Sequence, residues 1–420
     1  MSTQTETIQP TPARFPAFQY RDYRLLWSGQ LVSQLGSQMQ QMALNYHVYL
    51  LTHSPLALGL ISLARFIPVV VLSLVGGVFA DAHDRRRVLF VTQSGLMIGA
   101  TLLSALTFSQ TISVPALFVI AALLAAMMAF DGPARQSLTP NLVPKENLTN
   151  ALSLNNIVHQ TAGMVGPAVG GFVIGFAGVE NEATVGVGMV YLINAISFLG
   201  MLLALFLIKA PTQNHSIAVK FTRDSLTEGV RFVHKSKMIL ATMLLDFIAT
   251  FFSSATSLLP IFAKEILHVG AAGLGILYAA ESVGAVIAGA AMSVARNIAR
   301  KGKLVLTAVA VYGIATTLYG MSNLFWLSIF FLAIVGAADT ISTIMRNTLR
   351  QLATPDHLRG RMTGVNMIFF MGGPRLGDLE AGLVAALIGA PLSVITGGIA
   401  TVIAVMATAW LVPQLREYTD

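Results

Sequence analysis

Seven ionisable residues sit where the surrounding chain is almost wholly apolar: Arg65, Asp246, Glu281, Asp339, Arg375, Asp378 and Glu380. The last three share one stretch, GGPRLGDLEAG (372–382), between MTGVNMIFFM and LVAALIGA. A charge in hydrocarbon is costly, so such residues pair, line a wet cavity or carry ions. A carboxylate away from water is hard to keep ionised and can trade a proton with its surroundings. Asp246, Glu281, Arg375, Asp378 and Glu380 are therefore the proton-coupling candidates. An internal ion-pair network that fixes helix positions explains the same residues equally well. Arg375 and Asp378 are three apart and can pair on one helix face. Glu380 points elsewhere unless Gly372, Gly373, Pro374 and Gly377 break the helix. Asp339 has Arg346 near enough to pair with.

A second polar set lies close to the amino terminus. Gln30, Gln34, Gln38, Gln41 and Asn45 are spaced 4, 4, 3 and 4 apart, which puts them on one helix face. Amides facing lipid would go unsatisfied. The face therefore looks inward, either onto a wet substrate cavity or into hydrogen bonds with other helices. Phe247, Phe251 and Phe252 follow Asp246, and Met127 and Met128 occupy another apolar run. Aromatic and methionine surfaces suit large amphipathic ligands. Core packing also accounts for each of them singly.

The elements that position these residues follow from composition. The 420 residues are 55% hydrophobic and only 11% charged, whereas a soluble domain is about a quarter charged. Runs of about 20 apolar residues each span a bilayer as a helix. Twelve spans are expected, from 23–50 to 391–412, with the seventh at 238–263 and the eleventh at 362–388. The polar start has no apolar signal core, so the first span is expected to act as the insertion signal. All but three of the 26 Lys and Arg fall in the tails, in even-to-odd loops or at the span ends facing them. The exceptions are Arg65, Lys264 and Arg375. Basic residues mark the cytoplasmic side, so both termini are expected there. The net charge of +7 is then an orientation signal, and nucleic acid is not an expected partner.

The longest polar connection divides the chain in two. The expected units are a cytoplasmic tail (1–22), a first six-helix bundle (23–209), a linker (210–237), a second bundle (238–412) and a short cytoplasmic tail (413–420). In the linker, Ser225 with Glu228 three residues on is a capping-box pattern for a short amphipathic helix. The halves repeat. RQSLTPNLVPKENLTNALSLNN (135–156) resembles RNTLRQLATPDHLRGRMTGVNM (346–367), and Gly166-Pro167 matches Gly373-Pro374. A parallel six-plus-six repeat is one recurring transporter plan.

Two motifs carry a family resemblance. GGVFADAHDRRRV (76–88) resembles the hallmark loop of the major facilitator superfamily, with Gly77, Asp81, Arg85 and Arg86 matching, and with Ala82 and Asp84 replacing the usual Arg and Gly. The resemblance implies a latch on the cytoplasmic side, in which the arginine pairs with an acidic group at the end of span four, here Asp131. The rival explanation is a solvated basic loop. AGMVGPAVGGFVIG (162–175) resembles the Gly-Pro motif of the superfamily's antiporters, with Gly163, Gly166, Pro167, Gly170, Gly171 and Gly175 matching. Plain close packing of helices explains the same glycines. The second half has only a degenerate loop copy, GAAMSVARNIARKGK. Span four lacks the arginine that many superfamily proton antiporters carry. Together with FDGPARQSLTPNLVPKENLTNA, TLRQLATPDHLRGRM and GGPRLGDLEAG, these stretches resemble the bacterial drug and siderophore exporters of the superfamily, enterobactin-exporter-like and macrolide-efflux-like.

The resemblance implies an all-α membrane protein with twelve transmembrane helices in two six-helix bundles. It implies a monomeric secondary active transporter of the bacterial cytoplasmic membrane that exports a medium-sized organic molecule against protons. No G-x-x-x-x-G-K-[ST], H-E-x-x-H or G-x-S-x-G is present, and with no cysteine and no metal-spaced histidines no enzyme activity, cofactor or metal is expected. An importer or a lipid or lysophospholipid flippase of the same fold, and a non-transporting receptor or scaffold, are the alternatives.

Overall fold

Backbone polar groups buried in lipid must bond within their own segment, and the apolar runs fold accordingly as helices. The computed structural model describes residues 15–177, 183–209, 223–254, 256–295 and 300–417, without the side chains of 74–78, 80–82, 223–227, 229 and 357. No strand occurs among the described residues. The first half comprises α1 (Arg21–Thr52), α2 (Pro55–Ala82), α3 (Arg85–Phe108), α4 (Val114–Leu138), α5 (Leu148–Ala177) and α6 (Ala183–Leu207). A surface helix, α7 (Arg223–Lys235), leads into α8 (Lys237–Phe252), the short α9 (Leu259–Ile261), α10 (Gly270–Val294), α11 (Lys301–Gly320), α12 (Phe325–Leu352), α13 (Arg359–Ile388) and α14 (Ala390–Leu411). Their starts are set locally: the side chains of Ser54, Asp84, Ser113 and Ser236 each accept a bond from a first-turn amide.

Among the described residues, ten helical segments are long and apolar enough to cross a membrane. The twelve-span count differs by α1 and α13. Both are long enough, at 32 and 30 residues, but the amide stripe and the charged stretch lower their hydropathy. Two local expectations also change. The seventh span is interrupted: α8 stops at Phe252, and a 3-10 turn (Thr256–Leu258), α9 and a π turn (Phe262–Ile266) follow. The run of Ser and Thr at 253–257 with Pro260 breaks the helical ladder there. α13, by contrast, runs unbroken through Pro374. In the linker, α7 is described from Arg223 onward, and the side chain of Ser225, the expected cap, lies outside the described residues. Arg361 of α13 pairs with Glu228, and Phe232 and Val233 pack with Met362 and Val365, which fastens α7 to the second half.

Where the halves meet is decided by glycine. α5 crosses α10 so closely that a Cβ on Gly171 would stand 2.5 Å from the Ala271 carbonyl, and one on Gly275 would stand 2.4 Å from that of Pro167. α2 crosses α13 in the same manner: a Cβ on Gly59 would meet the Asp378 carbonyl at 2.8 Å, and one on Gly382 that of Pro55 at 2.7 Å. Both crossings lie toward the end of the molecule away from the described chain ends and α7. One apolar cluster joins both halves there, including Met42, Leu58, Ile174, Leu274, Leu277 and Ala385. At the end carrying α7 the clusters are separate: Leu26, Leu89, Leu138 and Leu205 belong to one half, and Leu245, Val305 and Leu349 to the other. Among the described residues, the side-chain hydrogen bonds that cross between halves, Asn45–Tyr278 and Tyr49–Glu265, also lie on the far side. The halves are thus joined at the far end, while the described apolar clusters at the α7 end do not cross between them.

A cysteine pair tests this closure, since the chain has no cysteine of its own. A Cβ on Gly175 would stand 3.3 Å from Ala272 Cβ, within reach of disulfide geometry. Gly175→Cys with Ala272→Cys is expected to cross-link under mild oxidant and lose thiol labelling, while either single variant keeps its label. A pair that stays fully labelled rules out the crossing.

Candidate functional site

Between the halves lies a cavity of about 610 Å³, within the usual range for small-molecule sites. α1 contributes Gln40, Gln41 and Asn45; α2 contributes Arg65 and Phe66; α4 contributes Met128; α6 contributes Asn194 and Phe198. From the second half come Ser254, Thr256 and Ser257 at the break after α8, Tyr278 of α10, and Phe370, Arg375 and Asp378 of α13. The break therefore has a consequence at the site. It brings a hydroxyl-bearing loop to the wall where a continuous helix would present one side chain per turn.

The polar groups are cross-bonded. Arg65 donates to Gln41 Oε1. Asn45 Nδ2 donates to the Tyr278 hydroxyl at 3.0 Å, which donates to the Thr256 carbonyl at 3.1 Å. Asn194 Nδ2 donates to Gln40 Oε1 at 2.8 Å. Arg375 Nη1 stands 3.8 Å from Asp378 Oδ2, while Asp378 Oδ1 accepts a 2.6 Å bond from Ser254 Oγ. Asp378 is buried, and the Arg375 side chain is 38% exposed.

The structure divides the residues expected from sequence. In the α1 stripe only Gln41 and Asn45 line the cavity. Gln34 meets His159 of α5 at 3.1 Å, Gln38 packs against Gly166, and Gln30 is buried with no described partner for Oε1. The stripe thus divides along the helix, its later residues lining the cavity and its earlier ones lying among other helices. Of the acidic candidates, Asp378 lies in the wall. Glu281 of α10 is not among the lining residues but stands within electrostatic reach of Asp378. Glu380 is not among the lining residues, because the unbroken helix turns it away. Asp246 belongs to a separate buried pair: its Oδ1 is 2.7 Å from Arg346 Nη2, with the two side chains 3% and 1% exposed. Asp339 stands 3.8 Å from the same guanidinium. Phe247 and Phe251 stack on one another at 5.8 Å beside Gly372 and Gly377 of α13, outside the cavity lining.

The loop motif is arranged differently from the expected latch. Arg85 does not pair with Asp131. It donates to the Ser137 carbonyl at 3.3 Å in the last turn of α4, and Arg86 donates to the Phe206 carbonyl at 2.9 Å in the last turn of α6. Cations are favoured at these carbonyl ends. Asp131 pairs with Arg135, four residues on, and accepts from Thr92 at 3.0 Å and Gln93 at 2.6 Å. The side chains of Gly77 and Asp81 lie outside the described residues. Gly166 and Gly170 of the Gly-Pro motif sit against α1, Gly171 and Gly175 against α10, and Gly163 faces Ser282. Sequence reasoning passed over Gln40, Asn194, Ser254, Thr256, Tyr278 and Phe370. The Ser/Thr run before Pro260 was the one signal that pointed to any of them.

Residues 13–419 match the family of transmembrane secretion effectors. The chain belongs to this family, within the major facilitator superfamily. As a member of it, the protein is a multi-pass membrane transporter and not an enzyme. It is 26% identical over 399 residues to the enterobactin exporter EntS of Citrobacter koseri, covering 94% of this chain and 93% of that one. The corresponding exporter of Shigella boydii is 25% identical over the same length. Among solved structures, a bacterial homologue of the human lysosomal transporter Spinster aligns over 94% of this chain and 97% of its own, with TM-score 0.74 and 14% identity. A bacterial homologue of the iron transporter ferroportin aligns over 95% and 99%, with TM-score 0.71 and 15% identity.

The Asp246–Arg346 pair generates a stability prediction. Removing Asp246 leaves the buried Arg346 with only the more distant Asp339 at 3.8 Å, and breaking a buried pair costs about 3–5 kcal/mol. Asp246→Asn is expected to lower the unfolding temperature in detergent sharply. Adding Arg346→Met to it is expected to recover most of the loss. Equal stability of Asp246→Asn and the parent would show that the pair carries no such weight.

Proposed function

We propose that this family member is a secondary active exporter of the bacterial cytoplasmic membrane, moving a medium-sized organic molecule outward against proton entry. The observation that carries the reading is the cavity between the halves. It sits beneath glycine crossings at one end, with an ionisable pair, Arg375 and Asp378, in its wall. Similarity to enterobactin exporters along nearly the whole chain supports export of an organic solute such as a siderophore or amphipathic drug. With basic residues on the cytoplasmic side, the α7 end faces the cytoplasm and this arrangement is the inward-facing state.

Transport would proceed by rocking of the halves, with the Gly171–Gly275 and Gly59–Gly382 crossings parting as the α7 ends close. In the outward-facing state Asp81, with Arg85, Arg86 and Asp131 behind it, would latch the cytoplasmic ends. The bonds of Arg85 to α4 and of Asp131 to Arg135 fit the latch's open position. Protons would be exchanged at Asp378 in the wall and at Glu281, within electrostatic reach of it. Asp246, fixed by Arg346, would hold α8 to α12 and take no part. The protein would work as a monomer, needing the bilayer and a small-molecule substrate as its partners.

The test is substrate-induced proton flux in proteoliposomes, screened over siderophores and amphipathic antibiotics. Flux is expected with at least one compound and should be lost in Asp378→Asn or Glu281→Gln, while Glu380→Gln keeps it. If coupled flux survives in the double variant Asp378→Asn with Glu281→Gln, protons do not pass through these carboxylates.

A further inference from the structure

The cavity wall carries an imbalance of charge. Among the described lining residues there are two guanidiniums, Arg65 and Arg375, and one carboxylate, Asp378. Neither arginine is consumed by its partners. Arg65 gives its side-chain bond to Gln41, a neutral amide, and stands within electrostatic reach of both Arg375 and Asp378. Arg375 reaches Asp378 Oδ2 at 3.8 Å, longer than a hydrogen bond, while Ser254 holds the carboxylate's other oxygen at 2.6 Å. Two arginines from opposite halves, each with free donors, therefore face one space. Holding two like charges together at membrane depth is unfavourable unless something of opposite sign joins them.

We infer that the substrate is an aromatic organic anion whose acidic group is held between Arg65 and Arg375. This rests on the reading of the cavity as the exporter's substrate site. One negative charge balances the wall when Asp378 is ionised. Guanidinium donors are arranged in a planar fork that matches a carboxylate or a similar oxyanion. Phe66, Phe198 and Phe370, with Tyr278, supply aromatic surface on the other sides of the same space. The volume admits a drug-sized molecule. Because Arg65 belongs to α2 and Arg375 to α13, the anion touches both halves at once, which a ligand bound to one bundle would not do.

The experiment measures binding, not transport. Purified full-length protein in detergent is titrated calorimetrically with 1-naphthoate, 1-naphthalenesulfonate, 1-naphthamide and 1-naphthylmethylammonium. These probes share one ring system and differ in charge. The two acids are expected to bind about tenfold or more tighter than the amide, and the ammonium weakest. Arg65→Gln and Arg375→Gln are each expected to erase the preference for acids. Arg65→Lys, which keeps the charge without the fork, should retain part of it. Amide binding as tight as that of both acids, tighter binding of the ammonium, or no binding of either acid overturns the inference, whether or not the glutamine variants fold. Substrate-driven proton flux in a protein that prefers the amide or ammonium would sink the anion alone. Acid preference with no coupled flux for any compound would sink the antiport reading alone.

Discussion

Two glycine crossings hold the halves of this transporter together, and every other feature of the site depends on how close they come. At α5–α10 and α2–α13 the helices approach until a single methyl group would collide with the opposite backbone. Lipid tails are as apolar as leucine, so helices in a bilayer gain little from hydrophobic burial alone. Dense backbone packing supplies the attraction instead. Contact of this kind is short-ranged and is easily exchanged for lipid contact when the helices part. A joint built from small residues is therefore suited to opening and closing, where a seam of interdigitated large side chains would resist.

The crossings also explain the charged stretch of α13. Counted from Pro167 and Pro374, Gly166 corresponds to Gly373, Gly170 to Gly377 and Gly175 to Gly382. These glycines do the same work in both halves. Gly166 and Gly170 seat α5 on α1, while Gly373 and Gly377 seat α13 on α8. The fourth position after each proline differs: Gly171 in α5 and Asp378 in α13. The repeat keeps the backbone design and places a carboxylate at one of two equivalent points, the one that lines the cavity. Asp378 can be buried there because Ser254, exposed by the break after α8, meets it with a hydroxyl.

A comparable division separates the buried arginines. Arg135 and Arg346 head the two copies of the repeated segment. Arg135 is answered within its own helix by Asp131, and Arg346 by Asp246 of a neighbouring helix. Both pairs are nearly fully buried and lie outside the cavity lining. Charge at membrane depth thus occupies two settings in this protein, anchoring helices in one place and lining a cavity in the other. Residue type alone does not tell the two apart.

What the sequence determined by itself was the class of structure. Long apolar runs permit only helices in lipid, the Gly-Pro repeat marks two related halves, and Gly166, Gly170, Gly171 and Gly175 foretell close packing because that follows from side-chain size at helical spacing. It also isolated Arg375 and Asp378, since charges in apolar runs stand out without any structure. The tertiary structure decided which polar residues share a space. Gln41 and Asn45 reach the cavity while Gln30, Gln34 and Gln38 do not, although all five occupy one stripe. Asp246 and Asp378 look alike in sequence, yet one is locked to Arg346 and the other lines the wall. Arg85 finds the end of α4 and not Asp131. Each of these outcomes depends on the partner that another helix brings to the same depth, and helix crossings far apart in the chain set that partner.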